Sequence, residues 1–174
     1  MSIEEFENLT NKLRNEVKFL YFHLMGEPLL HPLLSDFVSI AHNKDFVPII
    51  TTNGTLLNNQ DSLICAKPYK IQISLQAHEG NTSDNPDEYI NNVVQFALKA
   101  TKSGIIIILR LWNEGGAETL NTQIIKKIQT LIPTQWKERH DGWKISENIY
   151  IEFDKIFEWP NINNIPSDDK ALFC

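Results

Sequence analysis

The stretch VKFLYFHLMGEPLL, residues 17–30, is the one from which the fold can be read. Its first part, Val17 to Leu24, is an apolar run of strand length. Met25-Gly26-Glu27-Pro28 then breaks the run, and from Leu33 to Lys44 the apolar residues recur at helical spacing. Strand, polar break and helix make a βα unit, and the C-terminal strand end is where α/β folds place their ligands. The same punctuation follows directly: apolar Phe46–Thr51, the break Thr52-Asn53-Gly54, and a helical stretch over Leu56–Ala66.

Working outward, Ser2 and Glu5 form a capping box, and Phe6, Leu9 and Leu13 continue a helical stripe, so a helix opens the chain. Tyr69–Leu75 reads as the third strand. A long helix begins near Pro86, carries Tyr89, Val93, Phe96, Ala97 and Ala100 on one face, and stops before Gly104. Ile105–Trp112 (IIIILRLW) is the continuous apolar run that a parallel sheet buries on both faces. Gly115-Gly116 ends it, Leu120–Leu131 is helical, and Asn148–Phe153 supplies a fifth strand. Strands alternating with helices predict an α/β fold, a partial parallel (β/α) barrel of the TIM-barrel type with about five strands. Residues 1–158 form that domain, and residues 159–174, rich in Asn, Pro and Asp, form an irregular tail.

Composition narrows the function. The 174 residues are 42% hydrophobic and 22% charged, ordinary for a folded domain, with a formal net charge of −6. Lys126-Lys127 is the only dibasic pair, so nucleic acid and anionic membrane surfaces are not expected partners. No apolar run reaches membrane-spanning length and no signal peptide opens the chain, which predicts a cytoplasmic protein. Cys65 and Cys174 make neither a metal motif nor a disulfide framework. The phosphate-binding glycine loops of nucleotide-binding α/β proteins are missing, which argues against a doubly wound nucleotide-binding fold.

The polar residues at the predicted strand ends are Gly26-Glu27-Pro28, Thr52-Asn53-Gly54, Ser74 with Gln76, and Arg110 with Asn113. On a barrel they share one rim. Glu27 can accept from an ammonium group, Arg110 can hold a carboxylate, and Asn53, Ser74 and Asn113 can bind hydroxyl, carboxylate or ring-nitrogen groups. That set suits a zwitterionic amino acid joined to a nucleoside. Plainer readings stand beside it. Gly-Glu-Pro can be a tight turn, Asn53 a cap, Ser74 a local backbone partner, and Arg110 half of an ion pair with Glu152 or Asp154. His23 and His31 read as packed or solvent-facing, Cys65 as a small buried hydrophobe, and Trp136, Trp143 and Trp159 as core or cover residues. Trp112, beside the rim, can line a substrate pocket.

In order and spacing, YFHLMGEPLLHPLL, IITTNGTLL, IQISLQAHEGN and LRLWNEGG resemble the second to fifth barrel strands of the radical S-adenosylmethionine (SAM) enzymes, over roughly residues 17–155. The resemblance implies that Gly26, Glu27 and Pro28 meet the methionyl amino group of SAM. It implies that Ser74, Arg110 and Asn113 meet its carboxylate and ribose, with Asn53 on the same rim. It implies a 4Fe–4S cluster in the intact parent, reductive cleavage of SAM to a 5′-deoxyadenosyl radical, and a glycyl-radical-activating or peptide- or protein-modifying reaction. The family's CxxxCxxC loop is missing and Met25 stands where many members have glycine. The chain therefore reads as an N-terminally truncated piece, inactive alone, and Cys174 as the first ligand of an auxiliary cluster region. The loop Gln76–Pro86, Glu152 and Asp154 would face the substrate. The alternative is a degenerate, non-catalytic barrel serving as a binding or scaffold module. Either way the apolar first strand would have an unpaired edge, which predicts a homo-oligomer.

Overall fold

A computed structural model describes residues 1–23, 26–76, 85–116 and 120–155. Leu24, Met25, most of the Gln76–Pro86 loop, and the tail with Trp159 and Cys174 lie outside the described residues. Helix α1 (Ile3–Leu13) leads into β1 (Phe19–Phe22) and a 3-10 turn over Pro28–Leu30. Then come α2 (Leu34–Asn43), β2 (Val47–Thr52), the short α3 (Asp61–Cys65) and β3 (Lys70–Ser74). They are followed by α4 (Pro86–Thr101), β4 (Ile106–Glu114) and α5 (Asn121–Leu131). Three strands close the described chain: β5 (Lys137–Arg139), β6 (Gly142–Ser146) and β7 (Ile149–Lys155).

Local chemistry explains several boundaries. Ser2 Oγ accepts from the Glu5 N–H while Glu5 accepts from the Ser2 N–H, the expected capping box. Asn85 caps α4, with Pro86 in its first turn, where a missing N–H costs nothing. The helix expected over Leu56–Ala66 is shortened to Asp61–Cys65, because residues 53–60 are taken up by turns at the end of β2.

The sheet runs β1-β2-β3-β4-β7-β6-β5 and does not close. Its first five members are parallel and are the five expected strands. Two more, β5 and β6, pair antiparallel beside β7. The order from β1 to β4 never reverses, so right-handed crossovers place the helices on one face, as in a barrel and unlike a doubly wound sheet.

Burial agrees with that topology. Ile50, Ile71, Ile107 and Ile149 sit side by side across β2, β3, β4 and β7, all fully buried. They join one core with Val38 of α2, Leu63 of α3, Val93 and Ala97 of α4, and Ile128 of α5. Trp136, Trp143 and Phe153 pack against this core at the β6–β7 end. A second cluster, with Phe6, Phe37, Ala41 and Phe46 at its heart, fixes α1 against α2. Cys65 is exposed rather than buried, because it closes a helix of little more than one turn.

The neighbouring residue in each strand points the other way. The row Thr51, Gln72, Ile108, Tyr150, Lys144, Lys137 crosses six strands on the face that no described helix covers. Strand β1 ends the sheet with Phe19 and Tyr21 about half exposed, at 49% and 56%. No strand among the described residues pairs with its outer side.

Candidate functional site

The C-terminal ends of β1 to β4 meet along one rim. Gly26 has φ +87°, a left-handed conformation that favours glycine, and the space around it is open. Pro28 starts the 3-10 turn, and the Glu27 side chain caps it by accepting from the Leu29 N–H at 3.0 Å.

The Glu27 carboxylate is tied to the neighbouring strand end as well. It accepts from the Thr52 hydroxyl at 2.7 Å and from the Asn53 N–H at 2.8 Å. These three donors take three of the carboxylate's roughly four acceptor positions, two on Oε1 and one on Oε2. Glu27 thus joins the first two strand ends into one unit.

Behind Asn53, the buried Tyr89 of α4 donates its hydroxyl to the Asn53 carbonyl at 2.7 Å. Burial, with the Glu27 carboxylate adding to it, pushes the Tyr89 hydroxyl above its ordinary range, so it stays a donor. Gly54, at φ +78°, lies so close that an added Cβ would stand 2.9 Å from Ile73 and 3.0 Å from the Tyr89 hydroxyl. The Asn53 amide oxygen accepts from the Thr55 N–H and hydroxyl, which is the capping role. Sequence reasoning missed Thr52 and Tyr89 as supports of the rim; the bond of Thr52 to Glu27 and that of Tyr89 to the Asn53 carbonyl reveal them.

Ser74, Arg110 and Glu152 are register neighbours on β3, β4 and β7. The Arg110 Nε is buried with no hydrogen-bond partner, and so is the Gln76 Oε1. Arg110 stacks on Trp112, 3.8 Å from the ring centroid. Desolvation lowers the guanidinium pKa, while Glu152, Asp154 and Tyr21 favour its charge. No ion pair joins Arg110 to either carboxylate among the described residues. Burial and repulsion from Asp141 raise the Glu152 pKa, against the pull of Arg110, Lys70 and Arg139.

A cavity of about 610 Å³ lies where the β1 edge meets the first two helices, lined by Phe6 and Leu9 of α1, Leu34 and Phe37 of α2, and Tyr21, Gly26, Glu27 and Pro28 among others; Ser74 and Arg110 do not line it. Its size is that of a small-ligand site. Asn113 is turned away from the open face. It is buried at 4% exposure and pairs reciprocally with Asn121 at 3.0 Å, fixing the start of α5. His31 accepts from the Leu33 N–H and packs on Phe37, while His23 meets Tyr21 edge-on. Among the described residues no three His, Cys, Asp or Glu side chains gather as a metal site, and no helix is long and apolar enough to cross a membrane.

No protein-family model matches the chain. Over 45 residues, 26% of this chain, it is 42% identical to the tungsten-containing aldehyde ferredoxin oxidoreductase cofactor-modifying protein of Pyrococcus furiosus, and the matched stretch is 13% of that protein. Among solved structures the fold is similar to that of TYW1 with a lysine-pyruvate adduct bound. The TM-score is 0.52 at 16% identity, covering 89% of this chain and 50% of that one. Archaeal TYW1 is also similar, with a TM-score of 0.47 at 18% identity over 84% of this chain and 62% of that one. The chain therefore spans roughly half to three-fifths of the length of these structures, and the likeness is one of fold.

Proposed function

We propose that the rim binds S-adenosylmethionine and that the chain is the SAM-binding core of a radical SAM enzyme. The observation that carries this reading is Arg110: a guanidinium on the uncovered face, with a buried, unpartnered Nε and no ion pair of its own. Leaving such a group unsatisfied is costly, and a ligand carboxylate is the partner its geometry calls for. The shared fold with TYW1, a radical SAM enzyme, supports the reading.

In this reading Gly26, the backbone of Glu27 and Pro28 receive the amino group, and Arg110 with Ser74 holds the carboxylate. Gln76, whose amide oxygen also lacks a partner, accepts from the ribose or the base. Asn53 and Asn113 contribute through the loops they brace, their side chains being engaged with Thr55 and Asn121. Bound SAM would supply the family's radical chemistry only beside an iron–sulfur cluster. That cluster needs three thiolates, and Cys65 and Cys174 are the only cysteines in the chain, so its residues do not fit the group.

Titration calorimetry with SAM tests the assignment. Binding should be measurable, and Arg110→Gln should weaken it about tenfold, the equivalent of about 1.4 kcal/mol, with the melting temperature unchanged or raised. Equal binding by the wild type and Arg110→Gln would remove the reading.

A further inference from the structure

The β5–β6 hairpin gathers cations on the uncovered face. Lys137 of β5 stands directly across from Lys144 of β6, and Lys144 stands across from Tyr150 of β7. Arg139 lies over the Tyr150 ring at 4.8 Å, with the Lys144 ammonium at 5.9 Å from the same ring. Of these three, Arg139 alone has a carboxylate partner among the described residues, Asp141 at 3.7 Å. Like charges placed directly across an antiparallel pair cost stability. A lysine on an edge strand is a common guard against aggregation, which accounts for Lys137. It does not account for Lys144, half-buried on an interior strand. In a chain of net charge −6, this arrangement points to an anionic partner.

We propose that the β5–β6 end of the uncovered face binds an extended acidic peptide segment, with carboxylates two residues apart received by Lys137, Lys144 and Arg139. Lys137 and Arg139 share a face of one strand and are about 7 Å apart, the repeat of alternate side chains in an extended peptide. The positive row is interrupted: on the rim, Glu152 and Gly142 lie between Arg110 and Arg139. That spacing suits discrete carboxylates and disfavours the continuous charge of a nucleic acid backbone. The proposal deepens the reading of this face as a ligand wall and rests on it for a role as substrate site, but it is tested without SAM.

The test is fluorescence anisotropy with a labelled octapeptide of alternating Asp and Ala, compared with its Ser-Ala counterpart and an eight-nucleotide single strand. The Asp-Ala peptide should bind, the Ser-Ala peptide should not, and the oligonucleotide should bind more weakly. Lys144→Glu and Lys137→Glu should each weaken peptide binding about tenfold. Because Lys137→Glu turns a like-charge pair into an opposite-charge one, its melting temperature should rise as its affinity falls. No peptide binding, equal binding of both peptides, tighter binding of the oligonucleotide, or a melting temperature that falls with affinity would each overturn the proposal. SAM titration of Lys137→Glu should match the wild type. If SAM fails to bind while the acidic peptide binds, the cofactor reading falls alone.

Discussion

Two adjacent rows of the sheet differ by one residue per strand and have opposite characters. Ile50, Ile71, Ile107 and Ile149 form a dry ladder beneath the helices, every one fully buried. Thr51, Gln72, Ile108 and Tyr150, continued by Lys144 and Lys137, form a mixed polar and apolar row on the helix-free face, with Gln72 and Ile108 buried at its centre and the exposure rising towards Lys137. In a sheet whose described helices fall on one side, most of the apolar core lies on that face and the other carries more polar and charged residues.

Substitutions on the two faces should behave accordingly. Ile107→Ala opens a cavity in the ladder and should cost about 2–5 kcal/mol in urea unfolding. A loss under about 1 kcal/mol would mean the helical side is not the core. Gly54→Ala strikes the junction between the faces. The positive φ and the approach to Ile73 and Tyr89 predict a loss of about 1–3 kcal/mol, with weakened SAM binding because the Asn53 loop shifts. Unchanged affinity in a folded Gly54→Ala protein would separate that loop from the site.

On the open side, Tyr21→Lys places a charge beside the free edge of β1. It should leave the melting temperature nearly unchanged and convert any concentration-dependent dimer to monomer by light scattering. Identical scattering from the two proteins would show that this edge does not self-associate. The smallest effect is expected at Glu152. Its folded-state pKa lies above the unfolded value, so the folded state holds the proton over a pH range in which the unfolded state has released it. Stability from this group is therefore present at low pH and is lost as pH rises through that window. Glu152→Gln should be slightly more stable than wild type at neutral pH, with the gap closing on acidification below the usual carboxylate range. A gap that widens on acidification would reverse the sign of the shift.

Much of the fold was legible because hydrophobic period and punctuation agree locally. The parallel strands are apolar runs stopped by Gly-Glu-Pro, Asn, Gln or Asp, and Asn85 with Pro86 marks the start of α4. The β5–β6 hairpin was not foreseen. Residues 137–144 are mostly charged, one strand is three residues long, and only Asp141-Gly142 between Trp136 and Ile145 hints at a turn. The rim could be read from strand ends, since Gly26, Glu27, Ser74 and Arg110 each follow or close an apolar run. Which way the side chains turn could not. Asn113 belongs to the covered face by strand parity, and Glu27 is engaged by a hydroxyl and an amide of the next unit. The cluster of Lys137, Lys144 and Tyr150 is made by two consecutive antiparallel pairings, β5 with β6 and β6 with β7, whose register a mostly charged stretch does not announce.

The most direct test of the division between faces is amide hydrogen exchange read by mass spectrometry, with and without saturating SAM. Protection should concentrate in peptides covering 26–31, 52–55 and 108–112, while those from α2, α4 and α5 exchange as before. Protection centred on the helices, or no change anywhere, would contradict a ligand site on the uncovered face.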